Sequence, residues 1–125
     1  MYFQEPSMFH KTYPLDLFLE DVKRMEKEQE LLFSYLPKEY SRMQKKVEKV
    51  CDRMEYQGSR MYEDCPDGNV IHQISKKILE DLREEQDSFW NQERDGYQED
   101  LICCFLCNEI FRRRYRSWII KRYIK

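Results

Sequence analysis

The chain has 125 residues, the length of one domain, and its 41% hydrophobic residues can form a core without metal or disulfide support. Only 3 Gly and 4 Pro accompany the 37% charged residues, a balance that excludes a low-complexity chain and is typical of a helical protein. The net charge of −2 hides a split, because all 24 acids precede residue 110 while residues 111–125 hold 7 of the 22 bases.

The predicted elements begin after an irregular lead at residues 1–13. A first helix of about twenty residues is expected to begin near Pro14, because apolar residues then recur at steps of three and four. This stripe consists of Leu15, Phe18, Leu19, Val22, Met25, Leu32 and Leu36. Pro37 is expected to end this helix and to begin the next one.

The second predicted helix has one apolar face and one charged face. Its apolar stripe is Tyr40, Met43, Val47, Val50, Cys51 and Met54. The link at Pro37 is short, which predicts that the first two helices are antiparallel neighbours. Gly58 is expected to stop the helix, and a long loop rich in turn residues follows over residues 58–69.

A third helix is predicted after a cap at Asp67 or Asn69. Its apolar stripe is Ile71, Ile74, Ile78 and Leu82. The stripe fades through the acidic residues 80–100, in which Phe89 and Trp90 are late anchors. The pattern does not decide whether the helix continues to Arg94, and Gly96 is expected to break it.

The fourth helix is predicted from about Tyr97 to Tyr123. Its expected core face is Leu101, Cys104, Asn108, Phe111, Tyr115 and Trp118. Residues 101–107 are apolar on all sides, so a short buried strand fits them almost as well by pattern. Together the elements predict an all-α fold, an antiparallel bundle of three to four helices in a single domain 1–125, with a basic aromatic helix end at residues 111–125.

Five cysteines raise the question of a metal or redox site. Cys104 and Cys107 have metal-type spacing and Cys103 adds a third thiol, but a structural zinc site usually needs a second such pair. We therefore interpret the cysteines as small core residues and keep a cysteine-based metal or redox protein as a lower-weight alternative. Their odd number and the absence of a signal-peptide pattern predict a reducing cytoplasmic location.

No catalytic constellation is evident in the sequence. His10 and His72 are the two histidines, and neither has a Glu three residues before it, which a di-iron site of a helix bundle would need. There is no glycine-rich phosphate loop and no nucleophile elbow. We therefore predict a protein that is not an enzyme, with no cofactor and no small-molecule substrate. We also predict no membrane span, because the longest apolar run is far shorter than the ~20 residues of a span.

Two segments carry a resemblance. Residues 55–59 read Glu-Tyr-Gln-Gly-Ser and residues 63–67 end in Pro-Asp, while residues 108–114 read Asn-Glu-Ile-Phe-Arg-Arg-Arg. The chain resembles a set of small, uncharacterised helical proteins from anaerobic Gram-positive bacteria with similar segments. The resemblance covers most of the chain and draws attention to the loop and the basic end, but it implies no activity.

The basic end allows three interpretations. Clustered arginines with interleaved aromatics could bind nucleic acid through phosphate pairing and base stacking, although the protein as a whole is acidic (pI ≈ 5.8), which opposes this. A membrane foot ranks last, because charge surrounds the predicted helix. In the third interpretation Phe111, Tyr115 and Trp118 continue the core stripe, and the arginines pair with acids of the body or of a partner.

We therefore predict a small cytosolic interaction or scaffold module that binds an unknown protein partner or itself, with a nucleic-acid-associated protein as the alternative. The residues predicted for nucleic-acid or acidic-partner binding are Arg112, Arg113, Arg114, Arg116, Lys121, Arg122, Tyr115 and Trp118. The residues predicted for an interaction loop are Gly58, Ser59, Met61, Tyr62 and Asp67.

Overall fold

A computed structural model describes residues 15–56, 58–85, 89–91 and 96–124 of the chain. These residues form four α-helices, which are α1 (Leu15–Phe33), α2 (Lys38–Arg53), α3 (Gly68–Glu84) and α4 (Tyr97–Ile124), with a 3₁₀ turn at Arg60–Tyr62. Strands are absent from this part of the chain, and residues 101–107 lie inside α4. The predicted all-α class is therefore confirmed, and the helix packing is consistent with a bundle.

The described residues divide into two compact units. One unit contains α1 and the part of α4 from Tyr115 onward. The other unit, residues 36–114, contains α2, α3 and the first part of α4. The prediction of one domain stays a prediction, and the irregular lead at residues 1–13 lies outside the described residues.

The helix ends have local causes in the sequence. Pro37 directly precedes α2, where its fixed φ suits a helix start. The side chain of Asp67 caps α3 by accepting a hydrogen bond from the backbone N–H of Asn69 at 2.9 Å. Gly96 has φ 78°, in the left-handed region that favours glycine, immediately before α4 begins. These positions agree with the predicted boundaries, and α3 ends at Glu84.

The core of the second unit is formed by three helices and two connecting segments. Trp90, which is fully buried, lies edge-on to Phe89 with ring centroids 5.0 Å apart. The buried apolar residues are Met43, Val47, Cys51, Met61, Ile78, Leu79, Leu82, Trp90, Ile102, Leu106 and Ile110. The predicted stripes of α2 and α3 are thus confirmed, because each supplies buried residues at the expected positions.

The predicted core face of α4 is wrong. Phe111, Tyr115 and Trp118 are exposed, with 67%, 43% and 57% of their surfaces accessible. The face that is buried instead carries Ile102, Leu106, Glu109, Ile110 and Arg113. Residues 101–107 are apolar on all sides, so their pattern allows either face to be buried. Beyond residue 107, Glu109 and Arg113 occupy buried positions, although a hydrophobic pattern assigns charged residues to solvent.

The stripe of α1 also differs from the prediction. Leu19, Met25 and Leu32 are exposed, whereas Val22 and Leu36 are half-buried. Within the described residues, no helix is both long enough and apolar enough to cross a membrane.

The interpretation of the cysteines as core residues holds for Cys51 alone. Cys51 is buried, Cys103 is half-buried, and Cys65, Cys104 and Cys107 are exposed. Burial raises the pKa of the Cys51 thiol to about 12. The other thiols were predicted to be core residues because cysteine is a small apolar side chain, and Cys104 because it lies on the predicted core face of α4.

Candidate interaction surface

A buried carboxylate lies at the centre of the basic segment of α4. Glu109 is 2% exposed, and it follows Ile102 and Leu106 on the inward face of the helix. Nη2 of Arg112 donates to its Oε2 at 2.5 Å, and Nε of Arg113 donates to the same oxygen at 2.7 Å. Nε2 of the buried Gln44 donates to Oε1 at 3.5 Å. The negative charge of Glu109 is therefore balanced by two guanidinium groups one turn further along the helix.

Arg113 connects α4 to the end of α2. Its Nη2 donates to Oδ1 of Asp52 at 2.7 Å and to the backbone carbonyl of Glu48 at 3.4 Å. Its Nη1 donates to Oε1 of Glu55 at 3.1 Å. Arg113 itself is only 6% exposed. A buried arginine with all of these acceptors is a structural connection between two helices, since its guanidinium is already occupied.

The two central groups hold each other in their charged forms. Burial alone would raise the pKa of Glu109, but hydrogen bonds and charges from Arg112 and Arg113 lower it below its ordinary value. Burial alone would lower the pKa of Arg113, but the hydrogen bonds that it donates to Glu109 and Asp52 raise it. The network therefore keeps its charges across the neutral pH range.

Arg114 fastens the loop between α2 and α3. Its Nη1 donates to the backbone carbonyls of Met61, at 2.9 Å, and of Glu63, and its Nη2 donates to that of Asp64 at 3.4 Å. These carbonyls follow or belong to the 3₁₀ turn, where no helix partner is available to them. The basic segment thus holds the loop through backbone groups.

The residues predicted as an interaction loop have internal contacts. The buried hydroxyl of Ser59 accepts from the N–H of Met61 at 3.2 Å, and Met61 is part of the core. The hydroxyl of Tyr62 donates to Glu55, and Asp67 caps α3. Gly58 has φ 82°, a conformation that other residues rarely adopt. These contacts position the loop in the fold.

The remaining bases lie in the part of α4 that belongs to the other unit. Nη1 of Arg116 donates to Oε1 of Glu26 in α1 at 2.5 Å. The guanidinium of Arg122 lies over the ring of Trp118, 5.5 Å from its centroid. Lys121 and Arg122 are exposed. Four of the six bases predicted to bind a partner therefore donate to groups of their own chain.

The outer face of α4 carries a continuous exposed row of side chains. We call Cys104, Asn108, Phe111, Tyr115 and Trp118 the α4 stripe; all five are exposed and they recur at steps of three and four along one helix. The ring centroids of Tyr115 and Trp118 are 6.1 Å apart. The stripe spans about 21 Å at the rise of an α-helix. Three neighbouring aromatic residues on one exposed face are typical of a protein-interaction surface.

The thiols of α4 do not form a metal centre in this arrangement. Sγ of Cys103 lies 3.9 Å from Nδ1 of His72. The pKa of Cys107 is raised, first by burial and then by the neighbouring Cys103. Among the described residues, no group of three or more His, Cys, Asp or Glu side chains could hold a metal ion. His10 lies outside those residues.

Sequence reasoning missed the buried network. Glu109 with Arg112 and Arg113 has the i+3 and i+4 spacing of ordinary ion pairs, which usually lie on a solvent face. A signal was present, because Ile102, Leu106, Glu109 and Arg113 also fall on one face, at steps of four, three and four. That face contains two charged residues, which hydrophobic periodicity assigns to solvent.

No protein-family model, no curated protein and no solved structure shows significant similarity to this chain. The resemblance of the loop and basic segments to the helical proteins of anaerobic bacteria therefore stays a prediction.

Proposed function

We propose that the protein is a small, non-enzymatic interaction module that binds another protein chain through the α4 stripe. The observation that supports this most strongly is the exposure of Phe111, Tyr115 and Trp118 on one helix face. Burying large aromatic side chains in a partner supplies much of the binding energy of protein interfaces. A cytoplasmic location, predicted from the odd number of cysteines, belongs to the same proposal.

The inward contacts of α4 favour a rigid display of this stripe. Arg113 joins the helix to α2, and Arg114 joins it to the loop after α2. A side chain held on a packed helix loses little freedom on binding, so less of the interaction energy is spent on ordering it. The arginines then act as supports of the surface, and the aromatics act as the contact itself.

Nucleic-acid binding by the basic end remains the alternative, with less support. Arg112, Arg113, Arg114 and Arg116 already donate to groups of the same chain. A phosphate backbone would have to compete with these acceptors. Of the residues predicted for nucleic-acid binding, Lys121, Arg122 and the exposed rings of Tyr115 and Trp118 then favour this alternative.

One pair of variants tests whether the α4 stripe is the protein-binding surface. Phe111→Glu is expected to abolish capture of a protein partner from lysate, since it places a charge in the middle of the stripe. Leu31→Glu changes another exposed apolar residue, on α1, and is expected to leave capture unchanged. If both variants capture the same proteins as the wild type, the α4 stripe is not the binding surface.

The nucleic-acid alternative is tested by fluorescence anisotropy with labelled single- and double-stranded oligonucleotides at ~50 mM salt. The proposal predicts no binding. Binding that weakens steeply with salt and is lost in the Lys121→Ala, Arg122→Ala double variant would replace the proposed function with this alternative.

A further inference from the structure

We propose that the partner of the α4 stripe is a second copy of this chain, and that the two α4 helices pair in antiparallel orientation about a twofold axis near Phe111. This inference rests on the proposed function and names the partner of that same surface. A twofold pair uses one patch twice, so the patch has to be complementary to itself. The spacing, the sizes and the charges of the exposed residues all meet this condition.

The spacing of the α4 stripe is that of a helix-pairing seam. Cys104, Phe111 and Trp118 are seven residues apart, and Asn108 and Tyr115 form a second series with the same step. The series are offset by four residues, which is the a/d arrangement along which two helices pack. Asn108 occupies one such position, where a polar residue selects one pairing register over others.

The sizes of the side chains select the antiparallel orientation. The first half of the stripe carries the small Cys104 and Asn108, and the second half carries the large Tyr115 and Trp118. In a parallel pair each residue would face its own copy, which crowds the tryptophans together and leaves a gap between the cysteines. In an antiparallel pair the large half of one helix lies beside the small half of the other, with Phe111 near the middle.

The exposed charges at the two ends of α4 select the same orientation. Asp100 lies near the start of the helix, whereas Lys121 and Arg122 lie near its end, and all three are exposed. An antiparallel pair brings the acid of each copy beside the bases of the other, at both ends of the contact. A parallel pair would bring bases beside bases and acid beside acid, which disfavours it.

The bases near the centre of the stripe are directed to their own chain. Arg112 donates to the buried Glu109, and Arg114 donates to the backbone carbonyls of residues 61–64. Both groups follow Phe111 within one turn of the helix. Their internal contacts direct them away from the seam, so the middle of the pair is formed by Phe111 between Asn108 and Tyr115.

The pairing is tested first by sedimentation equilibrium of the full chain over a concentration series up to ~1 mM. The wild type is expected to change from monomer to dimer across the series. Phe111→Glu, which adds a charge to each copy at the axis, is expected to raise the dimer dissociation constant by at least ~100-fold. Leu31→Glu is the matched control, and it should sediment like the wild type.

The orientation is tested by exchanging the end charges. Asp100→Lys alone and the Lys121→Glu, Arg122→Glu double variant alone should each weaken the dimer, because each brings like charges together. The triple variant should recover wild-type association if the helices are antiparallel. Equal association of the wild type and all three variants would overturn the orientation, because in a parallel pair each end faces its own copy and meets like charge in every variant.

The results also separate this inference from the proposed function. A wild type that stays monomeric throughout the series would overturn self-pairing, and so would a dimer that Phe111→Glu leaves unchanged. If such a monomer still captures a different protein in a manner that Phe111→Glu abolishes, the α4 stripe remains a binding surface and the second copy is not its partner.

Discussion

The side chains of Glu109 and Arg113 are both buried and are joined by a 2.7 Å hydrogen bond along one turn of α4. The same arginine reaches Asp52 at the end of α2, so one ion pair holds two helices together. The basic segment of α4 therefore has two sides with different consequences. Its inner side stabilises the fold, and its outer side presents aromatic residues.

Removing the charge of Glu109 should destabilise the protein strongly. Glu109→Gln keeps the shape of the side chain but leaves Arg113 with a weaker acceptor in a buried position, and the expected loss is ~3 kcal/mol of unfolding free energy. Urea unfolding followed by circular dichroism measures it. Glu84→Gln, at an exposed position on α3, is the control and should change the free energy by less than ~0.5 kcal/mol. Equal effects of the two substitutions would contradict the role of Glu109.

The same carboxylate predicts a loss of stability in acid. The pKa of Glu109 is lower in the folded protein than its ordinary value, which is ~4.3 in an unfolded chain. The unfolded chain therefore binds the proton more readily than the folded protein does. The stabilising contribution of Glu109 is complete above pH ~4.3 and disappears as the pH falls through the pKa of the folded state. Unfolding free energies at a series of acid pH values should fall less steeply for Glu109→Gln than for the wild type. Parallel curves would show that Glu109 is not the titrating group.

Arg114 should determine whether the loop after α2 stays closed. Arg114→Ala removes its hydrogen bonds to the carbonyls of residues 61–64, and the expected cost is ~1–3 kcal/mol. Limited trypsin digestion should then cleave after Arg60 faster than in the wild type, because the loop opens locally. Lys121→Ala, at an exposed position of the same helix, should leave that cleavage rate unchanged. An unchanged rate in Arg114→Ala would show that the loop is held by other contacts.

The cysteines should differ in their reaction with an alkylating reagent at neutral pH. Cys65 is exposed and lies outside the α4 stripe, so it should be labelled early, whereas the buried Cys51, with its pKa of about 12, should be labelled only on unfolding. Mass spectrometry of peptides after timed labelling gives the order. Early labelling of Cys51 under native conditions would contradict its burial in the core.

The sequence was sufficient to predict α2 and α3 because each has one apolar face and one charged face. Met43 and Val47 in α2, and Ile78 and Leu82 in α3, are buried as their spacing predicts. Their starts were also predictable, since Pro37 and Asp67 act through the local backbone, whereas α2 ends at Arg53, before the predicted stop at Gly58. In these elements the local preference and the packing of the fold agree.

The candidate site was less predictable, for two physical reasons. Hydrophobic periodicity counts Glu109 and Arg113 as solvent-facing, although each supplies the charge that allows the other to be buried. The contacts of Arg114 with residues 61–64 join parts of the chain about fifty residues apart, so no local spacing encodes them. The exposed aromatics were recognised as important, but their side of the helix was assigned incorrectly.

The central claim is that Ile110 of α4 faces the core while Phe111 faces outward, and substitutions of these two neighbouring residues test it most directly. Ile110 is 6% exposed and Phe111 is 67% exposed. We would measure unfolding free energies of Ile110→Ser and Phe111→Ser in urea, at a protein concentration low enough to keep both variants monomeric. Ile110→Ser should lose ~3 kcal/mol or more, and Phe111→Ser should change by less than ~0.5 kcal/mol. The opposite order would place Phe111 in the core and would contradict both the fold of this helix and the surface proposed on it.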